Sequence, residues 1–393
     1  MQYDFDSVVD RRNTNSVKWD ILKFVFGTED ILPMWIADMD FQTTPTIIEA
    51  LKKLAEHGIF GYSMTPDSYH EAIIGWMKKR NNWKIKKEWI IHVDGVVPAI
   101  YMAIWTFTEP GDQIVIQTPA YHLFFPAVEE NGREVLENPL RYENGQYLMD
   151  LEDLEAKITP RTKMILLCSP HNPVGRVWKK EELERLGEFC IKNNILVLSD
   201  EIHSDLIYEG HKHIPFSSIS EEFANNSMVC IAASKSFNLP ALRVSNTIIP
   251  NPELREYFKA TLKKSDIKGP NIFGRVATQT AYDTGEPWLE QLLKYLQGNI
   301  DFMMKYIEEK IPRVKATRPQ GTYLVWLDLR DIGIDPAKTR DFLRLEAKVG
   351  LSGGVDCRAE GEGFWRMNIA CPRSVLEKAL QRLEKAINSL PGS

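Results

Sequence analysis

Apolar residues recur at helical spacing over residues 45–57, where Ile47, Ala50, Leu51 and Leu54 share one face. Residues 67–80 read as a second helix that ends in the basic run Lys78-Lys79-Arg80. Short apolar runs of strand length follow. Ile114-Val115-Ile116 comes after the turn signal Pro110-Gly111, and Met164-Ile165-Leu166-Leu167-Cys168 stops at Ser169-Pro170. Ile195-Leu196-Val197-Leu198 stops at Ser199-Asp200, Val229-Cys230-Ile231-Ala232-Ala233 at Ser234-Lys235, and Asn246-Thr247-Ile248-Ile249 at Pro250. These runs are continuous rather than alternating, as in strands buried on both faces. A helical stretch with Leu183, Leu186, Phe189 and Cys190 separates two of them. Strand–helix–strand alternation predicts an α/β fold with a mostly parallel central sheet and helices on both sides.

The pattern changes after residue 285. Trp288, Leu292, Tyr295, Leu296 and Asn299 lie on one face of a long helix, and Tyr323-Leu324-Val325-Trp326-Leu327 reads as a strand. Residues 374–387 predict a last helix, with Ser374 and Glu377 as its capping box and Leu376, Leu380, Leu383 and Ile387 as its apolar stripe. This stretch is expected to form a smaller α+β domain.

A length of 393 residues exceeds one usual core and suits two domains, or one large domain with an appendage. With 44% hydrophobic and 26% charged residues, disordered, collagenous and coiled-coil classes are excluded. Lys and Arg total 48 against 54 Asp and Glu, a net charge of −6, so the chain lacks the basic footprint of a nucleic-acid binder. No apolar span is long enough for a membrane, and the acidic start Met1-Gln2-Tyr3-Asp4-Phe5-Asp6 has no signal-peptide core. The cysteines are Cys168, Cys190, Cys230, Cys357 and Cys371, odd in number and without a CxxC pair. That argues against a disulfide framework and a structural zinc, and a reducing cytoplasm is the expected compartment. Cys168, Cys190 and Cys230 fall in apolar runs and are expected in the core, whereas Cys357 falls in a polar, Gly-rich stretch.

In an open α/β sheet, ligands bind beyond the carboxyl ends of the strands. The residues after the apolar runs are Ser169-Pro170-His171-Asn172-Pro173, then Asp200-Glu201-Ile202-His203, then Ser234-Lys235-Ser236. They supply an amide, a carboxylate, and a lysine flanked by hydroxyls. No histidine spacing such as HExxH points to a metal, and neither GxGxxG nor GxxxxGK[ST] occurs. The set suits a cofactor with a carbonyl for the lysine, a ring nitrogen for the carboxylate and a phosphate for hydroxyls and amides. Pyridoxal 5′-phosphate (PLP) has all three.

A series of segments carries a family resemblance over nearly the whole chain. They are Asn15-Ser16-Val17-Lys18-Trp19-Asp20, Leu32-Pro33-Met34-Trp35-Ile36-Ala37-Asp38-Met39-Asp40-Phe41, Phe60-Gly61-Tyr62 and Gly95-Val96-Val97-Pro98. Further on come Ser169-Pro170-His171-Asn172-Pro173-Val174-Gly175-Arg176, Ser199-Asp200-Glu201-Ile202-His203-Ser204-Asp205-Leu206, Ser234-Lys235-Ser236-Phe237-Asn238 and Arg366-Met367-Asn368. In this order they resemble the fold-type I PLP enzymes, and within them the cystathionine β-lyase, or carbon–sulfur lyase, branch of the class I/II aminotransferases.

The resemblance implies roles by position. Lys235 would bind the cofactor carbonyl and later move the Cα proton, and Asp200 would pair with the pyridine nitrogen. Asn172 would hydrogen-bond the ring oxygen, His203 would reach the same oxygen or stand behind it, and Tyr121 would stack on the ring. Backbone N–H groups of Val96 and Val97, with Ser234, Arg243 and Tyr62, would hold the phosphate, Tyr62 reaching across a homodimer interface. Arg366 would hold the substrate α-carboxylate through two parallel hydrogen bonds. The implied organisation is an N-terminal arm (1–45) returning to the small domain, a large PLP domain (46–285) and a small C-terminal domain (286–393).

The implied reaction is α,β-elimination from cystathionine or a cysteine S-conjugate, giving pyruvate, ammonia and a thiol. A PLP aminotransferase shares the early steps and is the alternative. A protein whose main role is to bind a regulatory partner is a third reading, opposed by the intact Lys235, Asp200 and Asn172. The chain departs from the branch pattern at two places. Pro240 in Phe237-Asn238-Leu239-Pro240-Ala241 is expected to reshape the loop beside the cofactor. The stretch from Leu351 to Phe364 is unusual and would border the substrate side chain; Cys357 and Arg358 are expected as solvated loop residues, with contact to an unusual thioether or a second carboxylate as the alternative.

Overall fold

The structure is a computed structural model that describes residues 2–267, 269–358 and 363–390. Among these residues the apolar runs assemble into a seven-stranded sheet. Its strands are β1 (Ile90–Val93), β2 (Gln113–Thr118), β3 (Glu134–Pro139), β4 (Thr162–Cys168), β5 (Leu196–Asp200), β6 (Ser227–Ile231) and β7 (Ser245–Ile248). The spatial order is β1-β7-β6-β5-β4-β2-β3. Strands β2 to β6 pair in parallel, and only β7 runs antiparallel to its neighbours β1 and β6.

Strand β4 shows why its run is continuous. Met164, Leu166 and Cys168 pack into the apolar cluster on one face, and Ile165 and Leu167 into the cluster on the other. Helix α3 (Val96–Phe107) covers the first face with Ala99, Ile100, Ala103 and Ile104. Helix α4 (Lys180–Lys192) covers the second with Leu183, Leu186 and Cys190. The helices α1 (Pro45–His57) and α2 (Asp67–Asn81) precede the sheet, as the spacing predicts.

A second, antiparallel sheet holds β8 (Lys315–Thr317), β9 (Leu324–Asp328), β10 (Ser352–Gly353) and β11 (Phe364–Asn368), in the order β8-β9-β11-β10. The short helix α5 (Ala233–Ser236) follows β6, and the long helices α6 (Glu286–Lys310) and α7 (Arg373–Asn388) flank the second sheet in sequence. One apolar cluster runs from Val229 and Ile231 of β6 through Phe237 and Trp288 to Met367 of β11, so the two sheets share a core. Asn299, buried in the α6 stripe, donates to the carbonyls of Ile369 (3.0 Å) and Cys371 (2.9 Å) and accepts from Arg373 Nε (2.8 Å). It thereby fixes the entry to α7.

That entry differs from the expected capping box. Helix α7 starts at Arg373 with Pro372 at its cap position and no side-chain cap bond. Pro372 is extended (φ −50°, ψ 143°) and its ring offers no acceptor to the free N–H groups of the first turn. Ser374 therefore lies inside the first turn, and Glu377 accepts from Gln381 instead.

The N-terminal segment is tied to the second sheet. Leu32–Pro33 pairs in parallel with Val349–Gly350, the Met34 carbonyl accepts from Asn368 N (2.8 Å), and Asp40 N donates to the Ala370 carbonyl (2.9 Å). A buried charge cluster holds it. Lys18 Nζ lies 2.7 Å from Asp40 Oδ2, and Arg11 forks onto Asp38 (2.9 and 2.7 Å) while also reaching Asp40 Oδ1 (2.7 Å). Burial works to raise the Asp40 carboxyl, but Lys18, Trp19 and Arg11 outweigh it and hold the pKa below the usual value.

Candidate active site

The parallel register aligns the strand ends. Cys168 of β4 lies beside Asp200 of β5, and Asp200 beside Cys230 of β6. The residues that follow each strand therefore meet on one edge of the sheet. They open on a cavity of about 1070 Å³ that reaches to the second sheet and the N-terminal segment. Asn172, Asp200, His203, Ser234, Lys235 and Tyr121 all line it, as do Val96, Val97, Arg243 and Arg366. Of the residues singled out from the sequence, Tyr62 stands apart. It is fully exposed at 113% in the chain alone, on a loop that also exposes Ile59, Phe60 and Met64.

Electrostatics across the cavity is set by burial. The Asp200 carboxylate accepts a hydrogen bond from Ile202 N (3.1 Å), its only partner among the described residues. Burial pushes its pKa up to about 7, against the opposing pull of that N–H and of Lys235. Lys235 is lowered to about 8, first by burial and then by the nearby Arg366 charge. Burial, Lys235 and Arg366 together bring His203 down to about 3, so its imidazole is neutral at pH 7. Its buried Nδ1 has no partner among the described residues. Tyr121 is raised to about 12 by burial and keeps its proton.

Arg366 comes from β11 and is buried. It donates through Nη1 to Asn172 Oδ1 (3.1 Å) and through Nη2 to the Trp35 carbonyl and Ser352 Oγ (both 3.2 Å), while its buried Nε has no partner. The Lys235 amine donates to the Ala37 carbonyl (2.6 Å), which also accepts from Tyr323 OH (2.9 Å). Asn368 Nδ2 donates to the carbonyls of Ile36 and Asp38 (both 2.6 Å), and Asn238 clamps Met39 and Phe41. Segment 35–41 is thus a strap pinned from both sheets. Sequence reasoning quoted these motifs but gave no role to Asn238, Tyr323, Ser352 or Asn368. The signals were the adjacency of Asn368 to Arg366 in one motif and of Asn238 to Lys235 in another.

At the cavity's other end, Gly95 precedes α3 with φ +127°, a conformation that favours glycine, and an added Cβ would meet Pro98 Cδ at 3.4 Å. The N–H groups of Val96 and Val97 begin this helix and so lack helical partners. Arg243 is exposed at this cavity, and its guanidinium has no hydrogen bond or ion pair among the described residues. Pro240 starts a short 3₁₀ turn, Pro240–Leu242, that turns the chain between Asn238 and Arg243, both at positive φ.

Two expectations for the 351–364 stretch need correction, and its residues 359–362 lie outside the described ones. Cys357 is not solvated: it is buried, lines the cavity, and has its thiol pushed up to about 11 by burial. Its carbonyl accepts from Ala120 N (2.9 Å), which folds this turn under the Tyr121 segment. Arg358 points away from the cavity and pairs with Glu129 and with Glu137, the latter at 2.9 Å.

The unmatched groups form a specific set: a lysine amine, a buried carboxylate with an elevated pKa, an orphaned imidazole nitrogen, and free helix-start amides beside an unpaired arginine. They fit PLP, whose carbonyl, ring nitrogen and phosphate complement them in turn.

Fold and site together define a family. The family model "Aminotransferase class I and II" matches residues 29–383, and the chain belongs to that family. Among curated relatives, the chain is 43% identical over 386 residues to cystathionine β-lyase PatB of Bacillus subtilis, covering 98% of this chain and 100% of the relative. It is 37% identical over 391 residues to protein MalY of Escherichia coli, covering 99% and 100%. The solved structure of cystalysin from Treponema denticola, which contains a pyridoxal 5′-phosphate cofactor, superimposes with a TM-score of 0.95 at 36% identity and covers 99% of each chain.

Proposed function

We propose that the protein is a PLP-dependent carbon–sulfur β-lyase that cleaves cystathionine or a cysteine S-conjugate. The observation that carries this reading is the convergence of Lys235, Asp200 and Arg366 on one cavity, in a chain with full-length similarity to a cystathionine β-lyase.

Lys235, Asp200, Asn172, His203 and Tyr121 would hold the cofactor ring, and Val96, Val97, Ser234 and Arg243 its phosphate. When bound, PLP supplies an electron sink that makes the substrate Cα proton acidic. Arg366 fixes the α-carboxylate and so the direction of the Cα–H bond. The Lys235 amine, lowered to about 8, takes that proton near neutral pH. Tyr121 presents a protonated hydroxyl to the same space. The Cβ–S bond breaks, the sulfur leaves as a thiolate that takes up a proton, and one water converts the released enamine to pyruvate and ammonia.

The active unit is a homodimer in this reading. Ile59, Phe60, Tyr62 and Met64 expose apolar surface on one loop, which a second copy would cover, bringing Tyr62 to the partner's phosphate. Its substrate is a small sulfur-containing amino acid, and its compartment is the cytoplasm, where the buried free cysteines stay reduced. The same reading divides the chain near residue 285 and assigns the arm 1–45 to the smaller part, on the strength of its pairing with Val349–Gly350.

The test is to load the protein with PLP, add L-cystathionine without any keto acid, and measure pyruvate and free thiol. Stoichiometric release of both is expected. Loss of L-cystathionine that requires an added keto acid, converts it to the matching amino acid and releases no thiol would reject the lyase in favour of an aminotransferase.

A further inference from the structure

In the motif at 199–206, Asp200 and His203 are assigned to the cofactor and Asp205 is not. Asp205 is buried, on the stretch of turns that runs on from Asp200 and His203. Two backbone hydrogen bonds brace that stretch, from Ser204 N to the Glu201 carbonyl and from Leu206 N to the His203 carbonyl (both 2.9 Å). The Asp205 carboxylate has two donors. Ser236 Oγ donates to its Oδ2 at 2.7 Å, and Trp76 Nε1 of α2 donates to its Oδ1 at 3.0 Å. Arg80 Nε stands 4.0 Å from the same Oδ1. Burial nevertheless raises the Asp205 pKa against the pull of these groups. Buried carboxylates perturbed in this way cluster at functional sites.

Ser236 is the residue after Lys235, and both belong to α5. A helix of a single turn does not hold its own orientation, and α5 has no side-chain cap bond. It is aimed by whatever fastens the residues that follow the lysine. Phe237 is buried against the rings of Trp76 and Trp288, with centroids 5.9 Å away in each case, and Asn238 clamps the strap 35–41. Ser236 is fastened to the Asp200 turn. The Ser236–Asp205 bond therefore joins the two chain turns that carry Lys235 and Asp200. Those two side chains are assigned to opposite ends of one rigid ring, so their spacing has to match it.

We infer that Asp205 is a positioning residue for Lys235. Through Ser236 it fixes the rotation of α5, so that the amine is presented to the cofactor carbonyl while Asp200 stands at the ring nitrogen. The inference rests on the reading in which Lys235 holds the cofactor, and it is indifferent to whether elimination or transamination follows. The action is geometric, because burial and the charges of Arg366, Asp38 and Asp200 are what set the Lys235 amine.

The test is capture of PLP by the apo protein, followed by visible absorbance as a function of pH. Ser236→Ala and Asp205→Ala should each lower the plateau rate about tenfold, the worth of one hydrogen bond to a carboxylate. The double variant should be no slower than either single one, since both remove the same link. The inflection should stay at about 8 in all three. Asp205→Asn should recover most of the rate, because its amide N–H can donate to Ser236 Oγ while its oxygen accepts from Trp76. Trp76→Phe removes the other donor and leaves the Ser236 bond in place. It should lose stability in urea yet capture PLP at the wild-type rate. Unchanged rates in Ser236→Ala and Asp205→Ala, losses that multiply in the double variant, or a Trp76→Phe rate that falls with its stability would overturn the inference. A displaced inflection with an unchanged plateau would overturn it too, since Asp205 would then act through its charge. Lys235→Ala that forms the same absorbance band as wild type would sink the assignment of Lys235, and the inference with it.

Discussion

Replacing Asp200 with Asn makes the apo protein more stable at alkaline pH, although it removes a residue assigned to the cofactor. The Asp200 carboxyl ionises near 3.8 in the unfolded chain and near 7 in the fold, because burial disfavours its charge. Between those values the folded state holds more protons than the unfolded one, so stability falls as pH rises. Three pKa units correspond to about 4 kcal/mol, reached above about pH 7 and absent below about pH 4. Asparagine carries no charge at any pH and keeps an oxygen for the Ile202 N–H. With 393 residues and about 2 cal/mol/K of unfolding entropy each, 4 kcal/mol is about 5 °C in Tm. Apo Asp200→Asn should therefore melt about 5 °C above apo wild type at pH 8, and the gap should close towards pH 4. Differential scanning calorimetry of both proteins over that pH range measures it, with Lys235, whose amine the Asp200 charge pulls upward, as the neighbour whose titration also changes. A gap that is absent at pH 8, or that does not change with pH, would refute the placement of a strained carboxylate. Adding PLP should reverse the order at pH 8, because the charge then meets a protonated ring nitrogen.

Further outcomes follow from named contacts. If the neutral Lys235 amine is the nucleophile, as proposed, the rate at which the apo protein captures PLP, followed by visible absorbance, should rise with pH through about 8 rather than near 10.5. Arg366→Met removes a neighbouring positive charge and should move that inflection upwards. Arg366→Lys should raise KM for cystathionine at least about tenfold, since losing charge-assisted hydrogen bonds costs about 1.5–3 kcal/mol, with kcat/KM as the readout. Lys18→Met leaves the buried Asp40 with Arg11 as its one cation and Trp19 as its remaining hydrogen-bond donor, and should cost on the order of 3 kcal/mol in urea denaturation. Co-refolded Tyr62→Ala and Lys235→Ala chains should recover about a quarter of wild-type activity, because half the dimers are hybrids with one intact site; no recovery would place Tyr62 outside the partner's site.

The main sheet was legible because both of its faces are covered, so that β4 and β5 read as unbroken apolar runs ending at Asn172 and Asp200. The polar residues at those ends were legible for the same reason: they interrupt apolar runs. What did not show in the sequence acts through backbone atoms or distant pairings. The Ala37 carbonyl carries no side-chain signal, and its partner Lys235 lies 198 residues away. Cys357 looked solvated because composition reports polarity and not the fold of its turn under Ala120. The Ser374 box failed because the helix start was set by the preceding Pro372.

The carbonyl of Ala37 takes a proton donor from each side of the cleft, Lys235 and Tyr323. Any chemistry that draws the lysine amine away gives up one of the two anchors of segment 35–41 on that oxygen. By thermodynamic reciprocity, whatever loosens the segment also frees the amine to react. The occupancy of the lysine is thereby written into the backbone of the N-terminal segment. Amide hydrogen exchange at Ala37–Met39 can serve as a label-free gauge of it, with faster exchange expected once the amine is engaged elsewhere.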